Sequence, residues 1–168
     1  MIRTTMVMAL ALAAGCGGGT DRAELATLSF EAPRTWQRTD THGSGSVTAV
    51  FAPGDNARKE TVTVIRTELG PIAAQYSTAT LTQLLTGTQT GLRNARTQAI
   101  TRVATDSGLH GLQVVVDYVP TGLARPYHRV HAVLLDGTAL VHVLYTALAP
   151  DPELAAFRQV LSTLREES

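Results

Sequence analysis

Cysteine is almost absent from this chain of 168 residues, since Cys16 is the only one. A single cysteine excludes an internal disulfide and any metal site built from several thiolates. Tryptophan is equally scarce, with Trp36 alone, and aromatic residues make up 5% of the sequence. Neither a disulfide framework nor an aromatic-rich surface for stacking nucleic-acid bases is therefore expected.

An excess of charge of either sign is also missing, because 14 basic residues balance 14 acidic ones. No basic stripe is visible, since the arginines are spread over several predicted elements: Arg93, Arg96, Arg102, Arg125 and Arg129. We therefore expect no nucleic-acid partner. The apolar fraction of 44% is enough for the core of one domain, the default for this length.

Apolar runs long enough to cross a membrane are missing too. Met6–Ala14 is an uninterrupted stretch of nine apolar residues, about half of the ~20 that a spanning helix needs. A positive charge at Arg3 precedes it and small residues follow it. This is the layout of a secretory signal peptide, and it predicts an exported protein.

The segment Leu12–Cys16, Leu-Ala-Ala-Gly-Cys, resembles the lipobox of bacterial lipoproteins. The resemblance implies that residues 1–15 are a signal peptide and that the lipidated Cys16 becomes the first mature residue. A thiolate is a good nucleophile for acquiring lipid, and two or more acyl chains anchor a protein durably. Residues 16–24 would be the lipidated cysteine and a flexible tether, attached to the cell membrane or the outer membrane and facing the periplasm or the exterior. The alternative is an ordinary signal peptide with an incidental cysteine.

The remaining residues, 25–168, predict one α+β domain. The expected order is three strands, a helix, four strands and a C-terminal helix. A change to helical spacing places the first helix after Pro71, and Asp151, Pro152 and Glu153 are typical of the start of the second. Several central strands are apolar on both faces, so we expect an antiparallel sheet sandwiched between helices. The strands are expected at Ala26–Ala32, Val47–Ala52, Thr61–Thr67, Thr97–Thr105, Leu109–Val119, Tyr127–Leu135 and Ala139–Ala147.

Three stretches resemble the PsbP-like superfamily, whose members include PsbP, Mog and DcrB-like and LpqN-like bacterial lipoproteins. They are Phe30–Trp36, which looks like the family's opening F-x-x-P-x-x-W, Asp136-Gly137 with the strand ending at Tyr145–Ala147, and the helix following Pro152-Glu153. The resemblance covers Leu25–Arg165. It implies the sandwiched α+β fold and a binding or assembly role, and it transfers no catalytic residue.

Two histidines are the best candidates for chemistry. If Asp136-Gly137 is a two-residue turn, His131 lies directly opposite His142, close enough for two imidazoles to share a metal. A three-residue loop with a bulge would instead place His131 on Val141. Zinc needs three or four ligands, and Arg129 would repel a cation, so a structural histidine pair is preferred and no metal or other cofactor is expected.

Trp36 is a candidate ligand-stacking residue, with core packing as the alternative. A catalytic triad is not expected, because no G-x-S-x-G elbow occurs and scattered serine, histidine and aspartate arise by chance. The loops Thr39–Ser46 and Pro120–Pro126 could line the mouth of a pocket. The sequence therefore predicts a lipid-anchored, non-enzymatic binding or assembly module of the cell envelope, whose partner is an envelope protein. The alternatives are a carrier of a small ligand between sheet and helix, and a metal-assisted enzyme using His131 and His142.

Overall fold

The computed structural model describes residues 19–57, 59–149, 152 and 154–167. The predicted signal peptide and Cys16 lie outside these residues, as do Asp151 and Glu153 at the predicted start of the second helix. In chain order the elements are β1 Thr20–Leu25, β2 Leu28–Pro33, β3 Trp36–Gly43, β4 Ser46–Pro53, β5 Thr61–Glu68, a 3-10 helix Gly70–Gln75, α1 Thr78–Gly87, β6 Arg93–Thr97, β7 Thr101–Ala104, β8 His110–Val119, β9 Tyr127–Asp136, β10 Ala139–Leu148, α2 Ala155–Thr163 and β11 Arg165–Glu166.

Two antiparallel sheets contain these strands. The large sheet has the order β3-β4-β5-β10-β9-β8-β6, with β7 paired to the same edge of β8 beside β6. The small sheet has the order β1-β2-β11. The strands β8, β9 and β10 form a meander, in which each strand pairs with the next one along the chain. Each is long and largely apolar, and a tight turn connects β9 to β10.

The expected α+β sheet sandwiched between helices is wrong, because the protein is mostly antiparallel β-structure, with 53% strand and 17% helix. One face of the large sheet is covered by the small sheet together with α2, rather than by helices alone. On the other face, α1 packs mainly on β8 and β9. The strand β1 also includes most of the residues that the sequence assigned to a flexible tether.

The main core lies between the large sheet, the small sheet and α2. Phe30 of β2 meets Phe51 of β4 edge to face with ring centroids 5.7 Å apart, and Tyr145 of β10 packs against Phe157 of α2. A smaller core lies under α1, where Leu81 and Leu85 cover alternate residues of β8. Both cores place β9 and β10 in the centre of the molecule, which fixes the position of the two candidate histidines.

The helix predicted after Pro71 is interrupted. A 3-10 helix occupies Gly70–Gln75, Tyr76 is extended, and α1 begins only after Ser77. The Ser77 side chain accepts a hydrogen bond from the backbone N–H of Thr80, while the Thr80 hydroxyl oxygen accepts one from the Ser77 N–H. This reciprocal cap fixes the start of α1 and therefore its placement over β8 and β9.

Candidate functional site: a histidine pair beside an open sheet face

The two histidines meet, although not in the predicted register. Asp136 pairs with Ala139, so the turn consists of Gly137 and Thr138, and His131 lies opposite Leu144 while His142 lies opposite Val133. Direct opposition is therefore wrong, as is the bulged alternative. The pairing differs from the predicted one by two residues, which keeps both side chains on one face and brings them together diagonally. Nε2 of His131 lies 2.9 Å from Nδ1 of His142, and the ring centroids are 5.1 Å apart.

Hydrogen bonds define the protonation of the pair. The Thr88 hydroxyl at the end of α1 donates to the Leu85 carbonyl at 2.8 Å, so its oxygen is left to accept from Nδ1–H of His131 at 3.3 Å. Nε2 of His131 is then an acceptor, and Nδ1–H of His142 donates to it. Assigned from this network, both imidazoles are neutral and carry their proton on Nδ1. The chain of donors runs from the half-buried His142 through His131 to α1.

Burial keeps both rings neutral. His131 is 2% exposed, and its pKa is lowered from 6.5 to about 3, first by burial and then by the positive charge that His142 and Arg129 can carry. Burial also lowers the pKa of His142. Arg129 is held nearby, because its guanidinium donates to the Tyr118 hydroxyl at 2.9 Å and lies over the Tyr118 ring. The surroundings of the pair therefore disfavour an added positive charge.

The arrangement is poorly suited to a metal ion. Both nitrogens of His131 are used, one with Thr88 and one with His142, so Nε2 of His142 is the nitrogen left over. Zinc requires at least three protein ligands in a catalytic site. Within the described ranges, no group of three or more histidine, cysteine, aspartate or glutamate side chains is placed to hold a metal ion.

A second polar cluster lies at the β9–β10 turn. Asp136 is fully buried, and its carboxylate lies 3.5 Å from Nε of Arg66, which also donates to Glu68 at 2.6 Å. Burial, followed by the neighbouring Glu166 carboxylate, raises the pKa of Asp136 to about 6. The pKa of Asp136 is raised whereas that of His131 is lowered, so the two groups have opposite effects on how stability changes with pH. Any pH experiment must therefore separate the two contributions.

We expect the stability of the protein to report on His131 below neutral pH. The unfolded chain binds a proton at this histidine near pH 6.5, whereas the folded chain binds it only near pH 3. The free energy of unfolding should therefore fall as the pH is lowered through this window, by up to about 1.4 kcal/mol per pH unit from this one group. Asp136 opposes the trend below about pH 6, because there the folded chain binds a proton that the unfolded chain lacks until about pH 3.8.

The two contributions are separated by comparing variants. His131→Gln retains an acceptor for His142 and removes the titration, so its unfolding free energy should fall less between pH 6.5 and pH 5 than that of the wild type, as measured by urea denaturation at each pH. His110→Gln, at an exposed histidine of β8, should behave as the wild type. Parallel pH profiles for His131→Gln and the wild type would contradict the proposed neutral, buried pair.

Next to the pair lies a part of the large sheet that α1 does not cover. We call it the open face, defined by seven half-exposed side chains on β4, β5 and β10: Thr48, Val50, Thr61, Thr63, Ile65, Leu144 and Thr146. These residues alternate with buried core residues along their strands, so they share one face. His142 stands at the border between the open face and α1.

Trp36, the other predicted ligand-binding residue, is far along the sheet from the histidines. It is the first residue of β3, pairs with Pro53 of β4, is half-buried and packs against the main core. Packing against the main core therefore explains why Trp36 is half-buried. These contacts do not test the prediction that Trp36 stacks on a ligand.

The other polar pairs noted in the sequence do not form a triad in the described residues. The Ser107 hydroxyl donates to the Leu164 carbonyl at 2.8 Å, so it is engaged in holding the C-terminal end of α2. Asp117 and His128 do contact each other at 2.8 Å, as neighbours across β8 and β9. Two members without an oriented nucleophile lack the arrangement that nucleophilic catalysis requires.

The expected pocket mouth is not formed. Thr39–Ser46 belongs to the β3–β4 hairpin, and Pro120–Pro126 connects β8 to β9 at the opposite end of the large sheet. A cavity of about 490 Å³ lies instead between the start of α1 and the strands β7 and β8, where Arg102, His110 and Leu112 line it. No helix among the described residues is both long and apolar enough to cross a membrane.

Comparisons with known proteins place this fold. No protein-family description and no curated protein matches the sequence. Among solved structures, a Bacteroides thetaiotaomicron protein matches with a TM-score of 0.60 and 14% identity over 85% of this chain, which spans only 46% of that protein. LpqN of Mycobacterium tuberculosis, described as involved in cell envelope biogenesis, matches with a TM-score of 0.57 and 16% identity over 89% of this chain and 91% of LpqN. The chain thus has a fold similar to that of LpqN.

Proposed function

We propose that this protein is a lipid-anchored component of the cell envelope that acts as a non-enzymatic binding or assembly module. The observation that carries the proposal is the structural match to LpqN over almost the full length of both chains, because LpqN is described as involved in cell envelope biogenesis. The lipobox-like segment ending at Cys16 supports export and anchoring.

The chemistry of the histidine pair supports binding rather than catalysis. A general base must be free to accept a proton near the working pH, whereas His131 has both nitrogens engaged and a pKa of about 3. The pair instead ties the central strands to α1 through Thr88. Its role in the proposal is to hold the border of the open face in place.

The open face is the surface that we assign to the partner. It combines aliphatic side chains such as Ile65 and Leu144 with threonine hydroxyls, on three neighbouring hydrogen-bonded strands. A broad surface of apolar groups and hydrogen-bonding groups suits a protein partner, which is recognised over many small contacts. We therefore expect an envelope protein to cover it.

The anchor is tested by mass spectrometry of the mature N-terminus isolated from membranes. We expect a chain that starts at Cys16 and carries added acyl mass. An unmodified N-terminus, or one that starts at another residue, would contradict the proposed anchor and would favour an ordinary signal peptide.

The binding role is tested by photo-crosslinking in the living cell. A photoreactive residue at Thr63, in the middle of the open face, should give a discrete adduct with one envelope protein. The matched control is the exposed Arg158 on α2, which should give no such adduct. Equal labelling from both positions, or none from Thr63, would contradict this surface.

The cavity of about 490 Å³ falls in the size range of small-ligand sites. A small molecule retained by the purified protein in native mass spectrometry would therefore favour the carrier alternative.

A further inference from the structure

The structure fixes where the anchor would leave the folded domain. The carbonyl of Gly19 accepts a hydrogen bond of 3.0 Å from the backbone N–H of Arg34, in the turn between β2 and β3. The next residue, Thr20, begins β1 opposite Pro33. The described part of the chain therefore begins beside the β2–β3 turn, three residues after Cys16.

This spacing limits the distance between domain and lipid. A fully extended chain advances at most ~3.6 Å per residue, so Gly19 lies within roughly 11 Å of the backbone of Cys16. Acyl chains on Cys16 are buried in the bilayer. The β2–β3 turn must then stand close to the lipid surface, which leaves few orientations open to the domain.

The β2–β3 turn lies at one end of the strands of the large sheet, and several other segments lie at the same end. The pairs at this end of successive strands are Trp36 with Pro53, Thr61 with Thr146, Leu148 with Tyr127, and Val119 with Arg93. We call it the tether end. It carries the β2–β3 turn, the loop from β4 to β5 and the loop from β8 to β9. Because strand ends in an antiparallel sheet lie in a row, these segments form one continuous edge.

The exposed side chains of the tether end suit an anionic lipid surface. Lys59, Arg93 and Arg125 are exposed there and make no ion pair within the described ranges. Arg34 is paired with Asp21, and Asp55 is another exposed acid among the described residues of this end. Leu123, in the β8–β9 loop, is one of two large apolar side chains that stand mostly exposed among the described residues, at 52%. Basic residues are attracted to anionic headgroups, and an exposed leucine gains by entering the apolar boundary.

The opposite end has the reverse character. Exposed acids follow its turns and the last strand: Glu68, Asp106, Glu166 and Glu167. Arg66 is paired there with Glu68 and Arg165 with Glu167, while Arg102 of β7 is exposed and makes no ion pair among the described residues. Ile72, the second large exposed apolar side chain at 55%, lies at this end in the 3-10 helix. Among the described residues, the exposed basic side chains without an ion pair therefore lie mostly at the tether end, and exposed acids are more numerous at the opposite end.

We propose that the tether end rests on an anionic phospholipid surface, with Lys59, Arg93 and Arg125 against the headgroups and Leu123 at the boundary of the acyl chains. The inference rests on the proposed lipid anchor at Cys16. In this orientation the strands stand upright on the membrane. The open face then lies perpendicular to the lipid plane, where a neighbouring envelope protein can reach it from the side.

The test places a fluorophore at either end of the sheet. Acylation occupies the only native thiol, so Leu123→Cys and Ile72→Cys each give one labelling site with nearly equal exposure. The processed, full-length mature proteins are reconstituted into vesicles that contain phosphatidylglycerol and a quencher carried on the acyl chains. Quenching at position 123 should exceed quenching at position 72 several-fold. Equal quenching, or stronger quenching at position 72, would overturn the orientation.

Two further measurements distinguish the lipid anchor, the orientation of the domain and the contribution of the basic side chains. Mass spectrometry of the same samples reports the acyl group: its presence with equal quenching overturns the orientation alone, and its absence overturns the anchor and the orientation together. In a Lys59→Glu, Arg125→Glu background, the quenching at position 123 should fall towards that at position 72. Unchanged quenching in that background would overturn the assignment of these two side chains to the headgroups.

Discussion

Cys16→Ser should move the protein from the membrane fraction to the soluble fraction. The serine hydroxyl is a far weaker nucleophile than the thiolate that acquires the lipid. Without acyl chains, the domain also loses about 0.8 kcal/mol of membrane affinity for every CH₂ group that would have been buried. The loss of two chains is therefore expected to release nearly all of the protein. The measurement is membrane fractionation followed by immunoblotting.

The matched control for this substitution is Gly18→Ser, which introduces the same side chain two residues away and retains the thiol. It should remain in the membrane fraction. If Cys16→Ser also stayed there after high-salt washing, attachment would not depend on lipid at this residue, and the proposed anchor would be wrong.

Gly111→Ala should be the most destabilising single-methyl substitution in the strands. A Cβ built at Gly111 would lie 1.9 Å from the Val133 carbonyl oxygen and 2.8 Å from the Leu134 Cα, both in the backbone of β9. Neither atom can move without separating β8 from β9, which pair at Gly111 and Leu134. We expect a loss of about 3 kcal/mol or more in the free energy of unfolding, at the upper end for overpacked sites.

Gly87→Ala in α1 is the appropriate control, because a Cβ there has no heavy neighbour within 4 Å. Alanine also favours the helix over glycine by roughly 0.5–1 kcal/mol, so this variant should be more stable than the wild type. Urea unfolding of both variants gives the comparison. A Gly111→Ala protein with wild-type stability would show that β8 and β9 can separate at this point without cost.

The sequence predicted the central meander well. The expected strands Leu109–Val119, Tyr127–Leu135 and Ala139–Ala147 differ from β8, β9 and β10 by one residue at an end. Their apolar content is high, and the polar turn residues between them are unmistakable. Here local preference and burial indicate the same structure, so no knowledge of the rest of the fold is needed.

The polar strands could not be predicted in the same way. Thr20–Leu25 and Trp36–Gly43 contain acids, arginine and threonine, and all of β3 after Trp36 is exposed. Their extended state comes from pairing with β2 and β4, which local sequence does not specify. The sequence did predict β2, as Ala26–Ala32, but not β1. Because β1 and β2 together cover part of the core, the expectation that helices alone cover both faces is wrong.

The site was predicted in part. The proximity of His131 and His142 follows from the tight turn, but its centre is Gly137-Thr138 rather than Asp136-Gly137. Gly137 has a φ of 46°, and a glycine at the first central position is typical of a type II′ turn. Thr88 gave no signal, because its contact with His131 depends on how α1 crosses the sheet. The Ser77 and Thr80 cap, by contrast, could have indicated where α1 begins.

The pairing of β5 with β10 has a consequence for how the chain folds. The meanders β3–β5 and β8–β10 are each built from strands that follow one another in the sequence. The strands β5, Thr61–Glu68, and β10, Ala139–Leu148, also pair with each other although they are distant in the sequence. This central contact must close a loop of some seventy residues before it gains any hydrogen bond, and such non-local pairing slows folding to the millisecond-to-second range. Each half can form early, and the junction between them should set the rate. A newly made chain therefore passes through a stage in which β5 and β10 both present unpaired edges, the stage at which it is most exposed to aggregation.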